Sequence, residues 1–365
     1  MRAQLRLAAA ILALFAASGV TLPARRHSSS VKAAAGDREG AQRAAVLARA
    51  QVWRSVDVRK ADLLAGPRDE RSFARNATIT CEYLDKKLSG LSPKFACKLP
   101  DGDELKVKYG GTNGEVYGEL LATRLLWALG FGADAMYPVN VICRGCPQPL
   151  GGIERPGGEY RFDPALVERK MAGKEWPRDG DPGWSWRDLA EVTPVRGGAP
   201  RAQRDALTLL AVFLQHTDSK PQQQRILCLG GINENTCSRP FLMISDLGLT
   251  FGAASLANSN QASGANFERW RSTPVWRSEP GCVGNLDKSF SGTLDKPVIG
   301  EAGRRFLAVL LQQLSDAQLH DLFDVARVKL RVREPGHALS GFPSIDEWVS
   351  AFKQKRDQIV SKRCA

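Results

Sequence analysis

Cysteine is scarce in this chain: eight residues in 365, about 2%. That is too little for a small disulfide-built scaffold, so a sizeable apolar core must carry the fold, with any disulfides as staples. Beyond the first two dozen residues no stretch reaches the ~18 apolar residues that a membrane helix needs, so no span is expected in the mature chain. No zinc-finger spacing of Cys and His and no aromatic-rich strand pair accompanies the net charge of +12, and nucleic acid is not expected as a partner. Half of that excess lies in residues 25–75, where twelve Lys or Arg face six Asp or Glu. Such a balance bears on association and solubility rather than on fold. No internal repeat is visible. The chain is 43% hydrophobic and 25% charged, a globular composition. Its length suits two domains or one large two-lobed one.

The N-terminus has the form of a secretory signal. Arg2 and Arg6 precede an apolar run, Leu7 to Ala17, and then Ser18 and Gly19. Cleavage fits at Ala17-Ser18-Gly19 or after Ala24; an uncleaved anchor is the alternative. No Cys ends the run, so no lipid attachment of the bacterial lipoprotein kind is expected. Residues 1–24 therefore read as a signal peptide, and the mature chain as secreted or periplasmic. All eight cysteines lie beyond the signal, and an even number in an exported chain favours disulfides. About a hundred connectivities exist for eight cysteines; pairing neighbours gives Cys81–Cys97, Cys143–Cys146, Cys228–Cys237 and Cys282–Cys364. Cys143-Arg-Gly-Cys146 also has a rival reading, a redox pair or half of a zinc site. A zinc site would need two more ligands, and Cys228 and Cys237 are nine apart. Pro147 and Pro149 suggest a loop there, not the helix that a redox motif opens.

Residues 25–77 read as a basic leader and linker, disordered or loosely helical up to residue 50. Three strands follow: Thr78 to Tyr83, Lys94 to Leu99 and Glu104 to Tyr109, the last two joined by an Asp101-Gly102 turn. After the link Gly110-Gly111-Thr112-Asn113-Gly114, a helix is expected from Glu115 to Leu129. Val116, Leu120, Leu121, Leu125 and Ala128 recur at helical spacing, and Gly130 stops it. Tyr137 to Cys143 is a further strand. Residues 147–200, rich in Pro, Gly and Trp, read as a connecting stretch. Beyond it come a helix from Arg201 to Gln215, short strands at Arg225 to Leu229 and Phe241 to Ser245, and loop-rich residues 252–298. Helices are expected at Glu301 to Leu314 and Ser315 to Lys329, and a last one opens at Ser344, which can cap it with Glu347.

Two short segments carry chemistry. His216-Thr217-Asp218-Ser219-Lys220-Pro221-Gln222-Gln223 follows an apolar helix; Ile244-Ser245-Asp246-Leu247-Gly248-Leu249 ends an apolar strand. Each puts an Asp where an ordered element gives way to a loop. With a lysine on an earlier strand, they supply what phosphoryl transfer needs: one Asp to position the acceptor hydroxyl and take its proton, a second to hold the metal, and a lysine on the phosphates. Taken singly, each residue has an ordinary reading. An Asp after a helix is commonly a cap, Lys106 and Lys108 share one strand face by period two, Glu119 would be solvated, and His216 would pack as a structural histidine. Trp176, Trp184 and Trp186 suit core packing better than ligand stacking.

In order and spacing, the set resembles protein kinases. His216, Asp218, Lys220 and Pro221 fall on the catalytic loop H-R-D-L-K-P-x-N, and Asp246-Leu247-Gly248 resembles the D-F-G magnesium motif. Leu105-Lys106-Val107-Lys108 looks like the strand of the ATP lysine, and Tyr117 to Phe131 like the helix of its glutamate partner. That stretch is closest to atypical kinases, the secretory-pathway and HipA-type kinases. The resemblance covers about residues 78–250.

It implies an α+β, bilobal protein-kinase-like fold, with a strand-rich N-lobe at 78–150 and a mainly helical C-lobe at 151–365. It also implies an exported ATP-dependent phosphotransferase using Mg2+ or Mn2+, acting on a protein or small-molecule hydroxyl. Lys106 would bind phosphate and pair with Glu119, and Lys108 would stand beside it. Asp218 would be the base, Lys220 would steady the phosphoryl group, and Asp246 and Gln223 would hold metal. Three features depart from the family. Gln223 stands where the family has Asn. Asp218 and Asp246 are 28 apart, an excess that a Cys228–Cys237 hairpin accounts for. No G-x-G-x-x-G precedes the lysine, and Ser89-Gly90-Leu91-Ser92-Pro93-Lys94 is the only candidate phosphate loop. A pseudokinase that binds nucleotide without turnover, and a disulfide-stapled export protein with no nucleotide site, are the alternatives.

Overall fold

The computed structural model describes residues 40–90, 92–146, 153–155, 158–176, 183–233, 236–252, 265–289, 291–331 and 343–364. The signal-like segment, the leader up to residue 39, and Pro147 and Pro149 lie outside them. Residues 1–43 and 44–365 separate as two units, and the architecture below is that of residues 44–365.

A six-stranded sheet is built from β1 (Ala77–Leu84), β2 (Lys94–Lys98), β3 (Glu104–Tyr109), β5 (Ala135–Arg144), β6 (Ile153–Arg155) and β7 (Glu159–Arg169), after the short β4 (Gly132–Ala133). The order is β3-β2-β1-β5-β7-β6, and an added β3–β7 pairing curls five of these strands into a ring. β1, β2 and β3 run antiparallel as neighbours, as the turn chemistry predicts, while β1 and β5 are parallel. Period-two alternation turns Leu105 and Val107 into the ring, with Phe95, Cys97, Val139 and Phe162. Lys106 and Lys108 then face outwards.

That outer face receives α1 (Gly114–Ala128), capped at its start by the Asn113 side chain, which accepts from the Glu115 N–H. The single-residue reading of Glu119 leaves it solvated. Instead nearly every residue of α1 is buried, Glu115, Glu119 and Arg124 included.

A second sheet, ordered β4-β12-β9-β8, uses β8 (Lys174–Trp176), β9 (Gln224–Cys228) and β12 (Pro240–Ile244). Between β9 and β12 lies a small hairpin, β10 (Ile232–Asn233) and β11 (Thr236–Cys237). Among the described residues, the α-helices beyond the first sheet are α2 (Arg201–Leu214), the short α3 (Phe267–Ser272), α4 (Glu301–Gln312), α5 (Asp316–Val325) and α6 (Ile345–Ser361). Ser344 and Glu347 form the expected capping box on α6. Trp176, Trp184 and Trp186 are core residues, and the rings of the last two stand 5.0 Å apart.

Two expectations need correction. The stretch 147–200 is more than a connection: β7 within it pairs with β5, β3 and β6, so the first sheet runs past residue 150. Pro164 breaks the strand pattern that would have revealed it. The segment 25–77, expected as a leader and linker, packs onto the fold from residue 46 onward. Val46, Leu47, Val52, Val58 and Leu63 are buried in the main core, and Gln51 bonds through its backbone to Pro240 and Leu242 at the edge of β12.

All eight cysteines stand in bonding pairs, in the neighbour connectivity, with Cα–Cα separations of 5.7, 5.8, 5.1 and 5.4 Å in chain order. Those spacings suit disulfides. The pairing of Cys143 with Cys146 uses the ligands that a zinc site would need.

Candidate active site

The two motif segments meet because of one strand pairing. β9 and β12 are antiparallel, with Gln224 opposite Ile244. The residues just before β9 and just after β12 therefore emerge at the same end of the sheet, which brings the loop of Asp218 to that of Asp246. The Gln223 carbonyl joins them, accepting from Ser245 N at 2.7 Å and from Asp246 N at 3.3 Å.

The Asp218 loop begins where α2 ends, at Gln215 in the left-handed region (φ 56°). His216 is buried beneath it, its ring 6.2 Å from that of Trp186. Burial pulls the His216 imidazole down to about 4, against the opposing carboxylates of Asp218 and Asp246. It is thus a neutral packing residue at ordinary pH. Ser219 anchors the loop from below: its carbonyl accepts from Thr293 N at 3.1 Å, and its hydroxyl from Leu294 N at 3.2 Å. Above it, Asp218 Oδ2 accepts from Lys220 Nζ at 2.9 Å and from Gln223 Nε2 at 2.7 Å.

The second half of the site is the contact of α1 with β3 and with the Asp246-Leu247-Gly248 turn. Lys108 Nζ lies 2.8 Å from Glu115 Oε2, 2.7 Å from Glu119 Oε2 and 3.8 Å from Asp246 Oδ1. Glu115 and Glu119 are one helical turn apart and present both carboxylates to the same lysine. The fit is close enough to require glycine on both sides. A Cβ on Gly118 would stand 2.9 Å from the Gly248 carbonyl, and one on Gly248 would stand 2.7 Å from the Glu115 side chain.

Burial would lower the Lys108 ammonium, but Asp246, Glu119 and Glu115 outweigh it and hold it well above its ordinary value. Burial also pushes the completely enclosed Glu119 carboxyl upward, while Lys108 pulls it down. Asp246 keeps 35% of its side chain exposed. Burial would raise its carboxyl, yet Lys108 first, then the Gly248 N–H at 3.1 Å, hold it below the ordinary range. Asp246 is thus a carboxylate fixed on one side and open on the other.

The sequence reading paired Glu119 with Lys106; the structure pairs it with Lys108. Lys106 lies further towards solvent, 31% exposed, and is ion-paired with Glu168 of β7. Both lysines do stand on the expected strand face. A cleft of about 1520 Å³ brings Lys106, Asp218, Lys220, Gln223 and Asp246 onto one wall system, whereas Lys108 and Glu119 lie behind its surface.

The cleft also exposes residues the sequence reading passed over. Glu115 was within reach, since it stands four before Glu119. Glu168 was not, because β7 itself went unread. Asp134, lifted to about 7 by burial and the nearby Glu168, accepts from Met171 N at 2.8 Å. No sequence signal marks it.

No family model matches the chain, and no curated protein does. Among solved structures it is similar to a Helicobacter pylori proinflammatory kinase, CtkA, at 10% identity and a TM-score of 0.41, over 79% of this chain and 95% of that one. It is also similar to the golgi casein kinase, at 9% identity and a TM-score of 0.34, over 79% of this chain and 72% of that one.

Proposed function

We propose that the chain is an exported, kinase-like phosphotransferase that uses ATP and a divalent metal and acts on a hydroxyl acceptor. The observation that carries this reading is the convergence of Lys106, Asp218, Lys220, Gln223 and Asp246 on one cleft, with Lys108 and Glu119 paired behind it. Four cysteine pairs and the signal-like N-terminus support export.

The donor set suits Mg2+ or Mn2+. Among the described residues no three His, Cys, Asp or Glu side chains form a ready-made metal cage. A hard cation held by one or two carboxylates and by substrate phosphates needs none. Asp246 uses Oδ1 towards Gly248 and Lys108, leaving Oδ2 for the cation, and Gln223 would offer Oε1. A metal held there by Asp246 and Gln223 would supply positive charge to the phosphates. Asp218 orients the acceptor and takes its proton through Oδ1, since Oδ2 already accepts two bonds. Lys220 steadies the group in transfer, and Lys106 exchanges Glu168 for phosphate.

Calorimetry of the mature chain with ATP and Mg2+ or Mn2+ tests the reading; no heat of binding with either metal would end it. A second reading, nucleotide binding without transfer, is favoured by Gln223, whose amide is bonded to the base itself. Slow release of phosphate or labelling of an added hydroxyl acceptor separates the two.

A further inference from the structure

Four of the lysines in and behind the cleft, Lys94, Lys106, Lys108 and Lys220, differ in what they hold. Lys108 is spent on Glu115 and Glu119, Lys106 on Glu168, and Lys220 on Asp218. The fourth, Lys94, opens β2 directly opposite Lys108. It is half-buried and lines the cleft, yet among the described residues it has no ion-pair partner. Its ammonium lies under Gly90: a Cβ there would fall 2.7 Å from Nζ, at a φ of +84°. Burial, with Lys108 across the strand pair, pulls Lys94 below its ordinary value, while Glu115 and Asp246 act in the opposite sense. An ammonium half out of water, facing a cleft and lacking a counter-ion, is costly unless an anion arrives.

We infer that Lys94, beneath Gly90, is an anion site for the distal phosphates of the nucleotide. This rests on the nucleotide reading above. It assigns to a side chain the part for which the chain has no glycine-loop signature. The absence of a Cβ at Gly90 leaves room for a phosphate oxygen beside Nζ. Because Lys94 bonds no carboxylate, it can neutralise phosphate without first giving up an ion pair, unlike the other three.

The test is calorimetry on the mature chain with Mg2+ and each of ATP, ADP, adenosine and tripolyphosphate, for wild type, Lys94→Met and Lys94→Arg. Lys94→Met should weaken ATP and tripolyphosphate about tenfold or more, ADP less, and adenosine not at all, as expected for one lost charge-assisted bond. Lys94→Arg should keep most of the affinity. Its ligand-free melting temperature should not fall for either variant, since no pair is broken; Lys94→Gln replaces the Met variant if that one does not fold. ATP affinity within about twofold of wild type in Lys94→Met overturns the assignment and leaves the nucleotide reading intact. Lys94-dependent binding of tripolyphosphate without any preference for ATP sustains the anion site and ends the nucleotide reading. A wild type that binds neither ends both.

Discussion

Gln223 donates from Nε2 to Asp218 Oδ2 at 2.7 Å. A carboxylate at neutral pH only accepts, so the bond fixes which way the amide points and turns its oxygen away from Asp218. With Lys220 on the same oxygen, Asp218 is oriented by two donors and keeps Oδ1 open. The backbone of Gln223 holds the other motif at Asp246, so one residue sets the spacing of both aspartates.

A division of labour follows. Asp218→Asn keeps the shape and the Lys220 side of the loop but removes a charged acceptor. It should bind ATP and Mg2+ within about threefold of wild type while transfer falls by roughly 10²–10⁴, the usual worth of a positioned base. Asp246→Ala should abolish magnesium-dependent ATP binding. Equal loss of binding in both variants would contradict the separate roles, and calorimetry beside a phosphate-release assay reads the difference.

Glu119 is held by Lys108 and not by Lys106 as expected from the sequence, and this exchange of partners should separate the two lysines in stability. Lys108 is 3% exposed and faces Glu115 and Glu119. Lys108→Met would leave buried carboxylates uncompensated, a loss of about 3–5 kcal/mol of stability. Lys106→Met breaks a partly exposed pair with Glu168 and should cost about 1 kcal/mol or less, while weakening ATP. Urea denaturation of the two variants decides it; equal midpoints would place Lys106 in the buried pair after all.

The origin of that reversal shows what a sequence can and cannot say here. Period two puts both lysines on one face of β3, and period 3.6 puts Glu115 and Glu119 on one face of α1. Which lysine meets which carboxylate depends on how far α1 slides along β3, and that is set by tertiary packing through Gly118 and Gly248. The strands 77–109, the cap at Ser344 and the pairing of neighbouring cysteines depend on local turns and spacing, and they were legible. β7 was hidden by Pro164. The packed residues 46–63 were hidden because Val46, Val52, Val58 and Leu63 are scattered among basic residues and follow no period.

Cys228 and Cys237 flank the hairpin that accounts for the distance in sequence between Asp218 and Asp246, and their Cα atoms lie 5.1 Å apart. The closure spans nine residues and is worth about 2–3 kcal/mol in the chain-entropy model. The double variant Cys228→Ser/Cys237→Ser should lose about that much stability. It should also bind ATP more weakly, since β9 and β12 set the two motif loops. Non-reducing peptide mapping that finds either thiol free in the wild type would remove the basis for both effects.

Lys355 is a buried cation with no carboxylate partner among the described residues. Its Nζ donates to Thr273 O at 2.5 Å and stands 5.3 Å from the centre of the Trp270 ring, and the side chain is almost wholly enclosed. Burial pulls its ammonium from 10.5 down to about 8. Between those values the unfolded chain still holds the proton and the folded chain has released it. Stability therefore rises with pH across the window from about 8 to 10.5. Below pH 8 both states are protonated and the full penalty, about 3 kcal/mol, is present. Lys355→Met should remove that penalty at pH 7 at the expense of one hydrogen bond and one cation–π contact, each about 1 kcal/mol. The variant should match or slightly exceed wild type in stability at pH 7, and lose that standing by pH 9.5, where the wild-type lysine is largely neutral. Denaturation midpoints at half-unit steps from pH 7 to pH 9.5 test this. Parallel curves for the two proteins would show that Lys355 does not titrate in the folded state.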